Sequence, residues 1–230
     1  MKIHRFFVQD KIGDKSLLAV TSPAMVNQFK NVFRFVKGDR VILFDNSGFD
    51  FTFAIEGYDK DVVSLSRIEI CENIVLPLRE TYLFASLVKK DNFEWIAQKA
   101  TELGVSHIIP IISDRSEKKD LNNDRIQKII IEAAEQSGRG TLPILYEITD
   151  LNSAIENYAH VKSMAWDPTA PKFVSQDITD IIGAYIGPEG GWSPQELELF
   201  KKHGIHTRSL GPQILKSETA VIAVIAHLVF

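Results

Sequence analysis

Apolar and polar positions alternate in short bursts over residues 1–72. Leu17–Val20, Arg40–Phe44, Phe51–Ile55 and Val62–Leu65 are apolar-rich runs of strand length, and Lys37-Gly38-Asp39, Asn46-Ser47-Gly48 and Tyr58–Asp61 separate them as turns. The pattern predicts a small β domain. From Thr81 onward the period changes. Tyr82–Leu87 and Val105–Ile112 are continuous apolar runs that predict buried strands. Between them Phe93, Ile96, Ala97, Ala100 and Leu103 recur at helical spacing, over a predicted helix Asn92–Leu103 that Gly104 ends. A second helix is predicted with Asn123 as its cap, Ile126, Ile129, Ile130, Ala133 and Ala134 inward, and Gly138 as its stop. Ser163–Trp166, Ile181–Ile186 and Thr207–Leu210 complete an alternation of strands and helices, which predicts an α/β domain with a mainly parallel sheet. The boundary is placed in Glu69–Glu80, where apolar density falls and Pro77 interrupts the pattern, giving domains of 1–72 and 73–230.

Two glycine-bearing junctions break this regular pattern. Ile186-Gly187-Pro188-Glu189-Gly190-Gly191-Trp192-Ser193 follows one strand, and Ser209-Leu210-Gly211-Pro212-Gln213-Ile214-Leu215 follows another. Neither suits a helix interior, and clustered glycines let the backbone approach a ligand closely. Ser193, Pro194 and Glu196 have the spacing of a capping box with proline at the first helical position. The order is therefore strand, glycine loop, capped helix, and it implies a ligand pocket at the strand ends. A tight structural turn is the competing reading. The lysine of a phosphate-binding loop and the G-x-G-x-x-G of a dinucleotide fold are both missing.

Composition narrows the class. With 45% hydrophobic residues the 230-residue chain has ample material for packed cores, and no apolar run approaches the ~20 residues of a membrane span. The start, Met1-Lys2-Ile3-His4-Arg5-Phe6-Phe7-Val8, lacks the features of a secretory leader. Cys71 is the sole cysteine, which leaves no internal disulfide and no cysteine-rich zinc site, so a cytoplasmic location is expected. The histidines lack metal-ligand spacing, and no metal is expected. A net charge of −4 disfavours binding of nucleic acid by bulk attraction, so any RNA site must be a local cationic patch.

Motifs in the second half, taken in order, carry a more specific signal. They are Lys99-Ala100-Thr101-Glu102-Leu103-Gly104-Val105, Asp114-Arg115-Ser116, Glu132-Ala133-Ala134-Glu135-Gln136-Ser137-Gly138-Arg139, Gly187-Pro188-Glu189-Gly190-Gly191 and Leu215-Lys216-Ser217-Glu218-Thr219-Ala220. Together they resemble the RsmE-type ribosomal RNA methyltransferases of the SPOUT superfamily, over most of the chain from about residue 80. The resemblance implies a trefoil-knotted α/β domain of SPOUT type, binding S-adenosylmethionine and forming a homodimer, preceded by a small PUA-like β-barrel that helps seat RNA. The substrate it implies is uridine N3 in small-subunit (16S) ribosomal RNA, free or within the 30S subunit. The apolar stretch Ala220–Phe230 is too short to span a membrane and fits a helix covered by its own sheet and a second subunit. Two departures stand out: Gln28-Phe29-Lys30-Asn31 occupies the place of the family's histidine pair, and Lys216 stands where arginine is usual.

The chemistry assigns provisional roles. Gly187, Glu189, Gly190, Gly191, Ser209, Leu210, Gly211, Ile214 and Leu215 are the expected cofactor residues, because backbone amides and carbonyls there can read an adenine edge and ribose. Uridine N3 carries a proton and is not nucleophilic until that proton is removed, so the site needs a base or cationic donors near the uracil oxygens. Arg115, Arg139, Glu189 and Glu218 are the catalytic candidates, the two glutamates equally readable as loop-orienting or capping groups. Arg5, Arg34, Arg115, Arg139 and Lys216 are the expected RNA contacts, with solvated surface cations or a structural salt bridge as the plainer alternatives. A SPOUT enzyme acting on another position, such as a ribose 2′-oxygen, and a noncatalytic RNA-binding assembly protein are the competing functions.

Overall fold

The computed structural model describes residues 3–75, 77–174 and 179–230. Leu76, inside the expected boundary segment, lies outside the described residues, as do Met1 and Lys2. Contacts divide the chain into two compact units, residues 1–76 with 134–141 and residues 77–133 with 142–230.

In the first unit β1 (His4–Phe7), β2 (Leu17–Val20), β3 (Arg40–Phe44), β4 (Phe49–Asp59) and β5 (Val62–Glu72) form a sheet in the order β1-β3-β4-β5-β2. A short helix α1 (Pro23–Asn27) runs directly into a π-helical turn at Gln28–Val32. β1 lies parallel to β3, and the other neighbours are antiparallel. Along β4 the side chains of Phe51, Phe53 and Ile55 are buried while Asp50, Thr52 and Ala54 between them are half-buried, as period-two alternation requires. Phe6 and Phe29 meet edge to face at 4.7 Å in the same core, and each phenylalanine so buried contributes about 2–3 kcal/mol. The strands expected at Phe51–Ile55 and Val62–Leu65 are each 11 residues long, because their mutual pairing extends the ladder past the apolar run. β1 and α1 went unforeseen.

Polar contacts hold segment 134–141 within this unit. Asn73 Nδ2 donates to Gly138 O and to Asp50 Oδ1, both at 3.0 Å. Phe7 N donates to Glu135 Oε1 at 2.9 Å. A Cβ added at Gly140 would lie 2.6 Å from Asn73 Cβ, so only glycine permits this approach.

The second unit contains β6 (Glu80–Ser86), α2 (Lys90–Leu103), β7 (His107–Ile112), α3 (Asn123–Ser137), whose last turn groups with the first unit, β8 (Ile144–Leu145) and β9 (Thr149–Asp150). It continues through α4 (Leu151–Asn157), β10 (Ser163–Trp166), β11 (Ile181–Ile186), α5 (Pro194–Lys202), β12 (His206–Arg208) and α6 (Ser217–Val229). Its sheet runs β12-β10-β11-β6-β7-β8, with β9 also on β7, and every pairing is parallel. Both faces are covered. α2 and α6 close one through Phe93, Ile96, Val224 and Leu228, and α4 and α5 close the other through Leu151, Ile155 and Phe200. That explains why these strands are continuously apolar rather than alternating. Gly104 ends α2 at φ 100°, as the sequence predicts.

Local corrections follow from side-chain hydrogen bonds. Asn122, not Asn123, caps α3, its Oδ1 accepting from Arg125 N at 3.0 Å. β12 is shifted from the expected Thr207–Leu210 to His206–Arg208, because Ser209 leaves the sheet edge to bond Pro171 and Phe173. α6 starts at Ser217, ahead of the apolar stretch. Among the described residues no helix is long and apolar enough to cross a membrane, and no group of three or more His, Cys, Asp or Glu side chains could hold a metal ion.

Candidate active site

All strands of the second sheet are parallel, so the loops after β7, β10, β11 and β12 emerge at one edge, where open α/β sheets bind their ligands. The loop after β11 is the most heavily tied. Ser193 begins α5 as the expected capping box: its Oγ accepts from Glu196 N at 3.2 Å while Glu196 Oε2 accepts from Ser193 N at 2.7 Å. The other carboxylate oxygen, Oε1, accepts from Asp114 N at 2.9 Å, and Ser193 Oγ donates to Asp114 Oδ2. Buried Glu196 thus locks the β7 loop to the β11 loop.

The glycines of that loop make further ties. Gly187 O accepts from Ser217 Oγ at 2.7 Å, connecting the loop to the start of α6. The Trp192 ring leaves only 3.2 Å to a Cβ built at Gly187, and its Nε1 donates to Trp166 O at 3.0 Å, connecting the loop to the end of β10. Gly190 O accepts from Arg115 Nη1 at 2.6 Å, with the arginine stem packed over Gly190. Gly191 takes φ 66°, and its N–H returns to Pro188 O at 2.9 Å.

The segment after β12 is more open. Ser209 is buried and fixed, its N–H donating to Pro171 O at 2.9 Å and its carbonyl accepting from Phe173 N at 2.8 Å. Beyond it Gly211 adopts φ 148°, Ile214 is 86% exposed and Leu215 is 36% exposed. Ser209, Leu210, Gly211 and Leu215 line a cleft together with Trp166, Asp167, Pro168, Arg208, Gln213, Ala220 and Val224.

The residues 75–229 match the RNA methyltransferase domain family. The chain belongs to that family. It is 29% identical to the ribosomal RNA small subunit methyltransferase E of Rickettsia conorii over 239 residues, which cover 99% of this chain and 95% of the relative. Two solved structures superimpose over nearly the whole chain. A Legionella pneumophila protein in complex with the bound cofactor SAM gives a TM-score of 0.89 at 28% identity, covering 99% of this chain and 97% of that one. The ribosomal RNA small subunit methyltransferase E of Neisseria gonorrhoeae, bound to S-adenosyl methionine, gives 0.88 at 27% identity, covering 98% and 96%. Within its family this RNA methyltransferase is therefore of the RsmE type, in the SPOUT superfamily.

The structure sorts the sequence candidates of this methyltransferase into groups. Arg115 and Gly190 touch, and Glu189 lies exposed in the same loop. Glu218 sits in the first turn of α6, one residue after the Ser217 clamp, with its Oε2 enclosed and without a hydrogen-bond partner. Lys216 is exposed at the N-cap of α6. Ile214 is exposed and is not among the residues that line the cleft.

The first-unit candidates behave differently. Arg34 is exposed at φ 55°. Arg5 is engaged rather than offered to solvent: Nη1 pairs with Asp50, Nη2 donates to Arg139 O at 3.2 Å, and the guanidinium lies 4.9 Å from the centre of the Phe44 ring. Arg139 is not the flexible surface fork that its place after a helix end implied. It is 4% exposed, its Nε donates to Thr141 O at 2.7 Å, and burial brings its guanidinium down to about 10, still charged at neutral pH.

Trp166, Asp167 and Pro168 are cleft residues that the sequence reading passed over. Their available signal was an Asp-Pro pair at the carboxyl end of a predicted strand, the edge where such sheets bind ligands.

Proposed function

We infer that this protein transfers a methyl group from S-adenosylmethionine to N3 of a uridine in small-subunit ribosomal RNA. It is a SAM-dependent methyltransferase of 16S ribosomal RNA. The observation that carries the reading is the convergence of the Gly187–Gly191 loop, the Ser209–Leu215 segment and the Trp166–Pro168 turn at one sheet edge. The residues fit the cofactor. Leu210, Leu215, Ala220 and Val224 give apolar walls for a flat base, Gly211 frees the backbone, and the enclosed Trp166 N–H is a donor without an acceptor. Ser209, Leu210, Gly211 and Leu215 of the expected cofactor residues line this cleft, while Gly187, Glu189, Gly190, Gly191 and Ile214 are not among its lining.

When bound, the cofactor supplies an electrophilic sulfonium methyl, which leaves positioning and proton handling to the protein. The N3 proton must leave before the nitrogen can attack. Glu218, with an enclosed oxygen at the start of α6, and Glu189, in the braced loop, are the carboxylates assigned to that task. Arg115, held against Gly190, supplies positive charge for the anionic base. Arg34 and Lys216, both exposed, are assigned to RNA phosphate, while Arg5 and Arg139 support the first unit from within.

The wider architecture belongs to the same proposal. Residues 1–72 form a PUA-like barrel that seats RNA, a reading supported by the five-stranded sheet and its aromatic core. Residues 73–230 form a trefoil-knotted SPOUT domain, supported by the Ser217 clamp of α6 onto the β11 loop. The outer side of α6, where Ile222, Ala223 and Ala226 are only half-buried, pairs with a second copy to make a homodimer. The substrate is small-subunit RNA or the 30S particle, in the cytoplasm.

Calorimetric titration with S-adenosylmethionine and S-adenosylhomocysteine tests the cofactor, and transfer of a labelled methyl to small-subunit RNA tests the activity. Binding followed by transfer is expected. Folded protein that binds neither compound at millimolar concentration overturns the assignment, and binding without transfer to RNA or particle favours a noncatalytic assembly role.

A further inference from the structure

Two tryptophans stand side by side at the site edge and differ in one respect. Trp192, 4% exposed, donates its Nε1–H to Trp166 O at 3.0 Å. Trp166 is 7% exposed and forms a wall of the cleft, but its own Nε1–H is enclosed and meets no acceptor. Indole is a donor only, so nothing else on the ring can compensate. Buried donors in folded proteins are nearly always paired, and an orphan beside a cleft calls for a partner brought by the occupant.

We propose that Trp166 is a specificity-determining residue whose indole N–H recognises the adenine ring of the bound cofactor. The inference rests on the reading of this cleft as the S-adenosylmethionine site. Adenine is the portion of that molecule that is flat, largely apolar and edged with neutral acceptor nitrogens. The walls facing Trp166 suit it: Leu210, Leu215, Ala220 and Val224 are aliphatic. The charged methionine end would lose its hydration against those walls without gaining a partner from them. The lining's two charged side chains, Asp167 and Arg208, are of opposite sign and leave no net preference for the cofactor carboxylate there. Because Nε1 is enclosed, the ring edge reaches it by displacing part of the lining. The exposed Gln213 and Leu215, on the loosely tied segment, are the parts free to yield.

The test compares the full-length chain with Trp166→Phe, which keeps an aromatic ring and deletes the donor. The free variant should melt close to the wild-type temperature, since removal of an unsatisfied donor offsets part of the packing lost with the smaller ring. Its affinity for S-adenosylhomocysteine should fall about five- to tenfold, the worth of one hydrogen bond. Adenosine alone should show the same loss. In the wild type the Trp166 indole N–H resonance, assigned by its disappearance in the variant, should move downfield on addition of S-adenosylhomocysteine. Unchanged affinity and an unmoved resonance overturn the proposal, as does a lower melting temperature with no loss of affinity, the mark of a packing role. Loss toward S-adenosylhomocysteine but not adenosine overturns the adenine assignment. Absence of binding by the wild type overturns the cofactor reading on which the proposal stands.

Discussion

The two glycine junctions look alike in sequence and are built in opposite ways. The Gly187–Ser193 loop is braced from three directions: Ser217 holds Gly187, Arg115 holds Gly190, and Glu196 holds Asp114 and Ser193. The Ser209–Leu215 segment is fixed at Ser209 and then runs on with Ile214 86% exposed. Glycine serves packing in the first, where a Cβ at Gly187 would press to 3.2 Å from the Trp192 ring, and backbone freedom in the second, where Gly211 sits at φ 148° and a Cβ would meet only Gln213 Oε1 at 3.5 Å. The first junction is therefore a preformed brace behind the cleft, and the second, which lines the cleft, can adjust to what enters. Preformed support reduces the ordering cost of binding, while an adaptable lining admits a bulky ligand.

The largest effect should come from breaking the brace. Glu196→Ala leaves the Asp114 and Ser193 amides without acceptors and should cost about 3 kcal/mol, measured by denaturant unfolding, with Glu196→Gln recovering part of it. If Glu196→Ala melts like the wild type, the β11 loop is not braced as described. Ser193→Ala removes the cap and the hydroxyl tie to Asp114 and should cost about 1–2 kcal/mol in the same assay. Gly211→Ala forces a side chain onto a left-handed backbone and should cost about 1 kcal/mol of stability, while cofactor affinity by calorimetry falls more steeply. Ile214→Ala should change stability by less than about 0.5 kcal/mol, because its side chain is almost fully in solvent. A large stability loss from Ile214→Ala would show that the second segment is packed after all.

How legible this was depended on how local the signal is. The Ser193–Glu196 capping box and the Gly104 stop are written within four residues of chain, and both formed as expected. The inward face Phe93, Ile96, Ala97, Ala100 and Leu103 followed from helical period alone; the first four are fully buried, and Leu103, at the helix end, is half-buried. β1 and α1 left weak signals, the first a four-residue run without alternation and the second a five-residue helix joined to a π turn. Arg139 shows the harder limit. Its neighbours in sequence describe a helix end facing solvent, but its burial comes from contacts such as that between its carbonyl and Arg5, 134 residues away. Trp166 was hidden for the same reason, since its cleft is assembled from β10, the segment after β12, and α6.

The central claim is that this pairing of a braced loop with an adaptable segment serves methylation of a ribosomal RNA base at uridine N3. The most direct measurement is mass-spectrometric mapping of the nucleoside formed when the purified protein and S-adenosylmethionine act on unmodified small-subunit RNA and, separately, on 30S particles. The account predicts 3-methyluridine at a single position in at least one of the two substrates. A methyl group on ribose or on another base, or no methylation of either substrate by protein that demonstrably binds the cofactor, would contradict it.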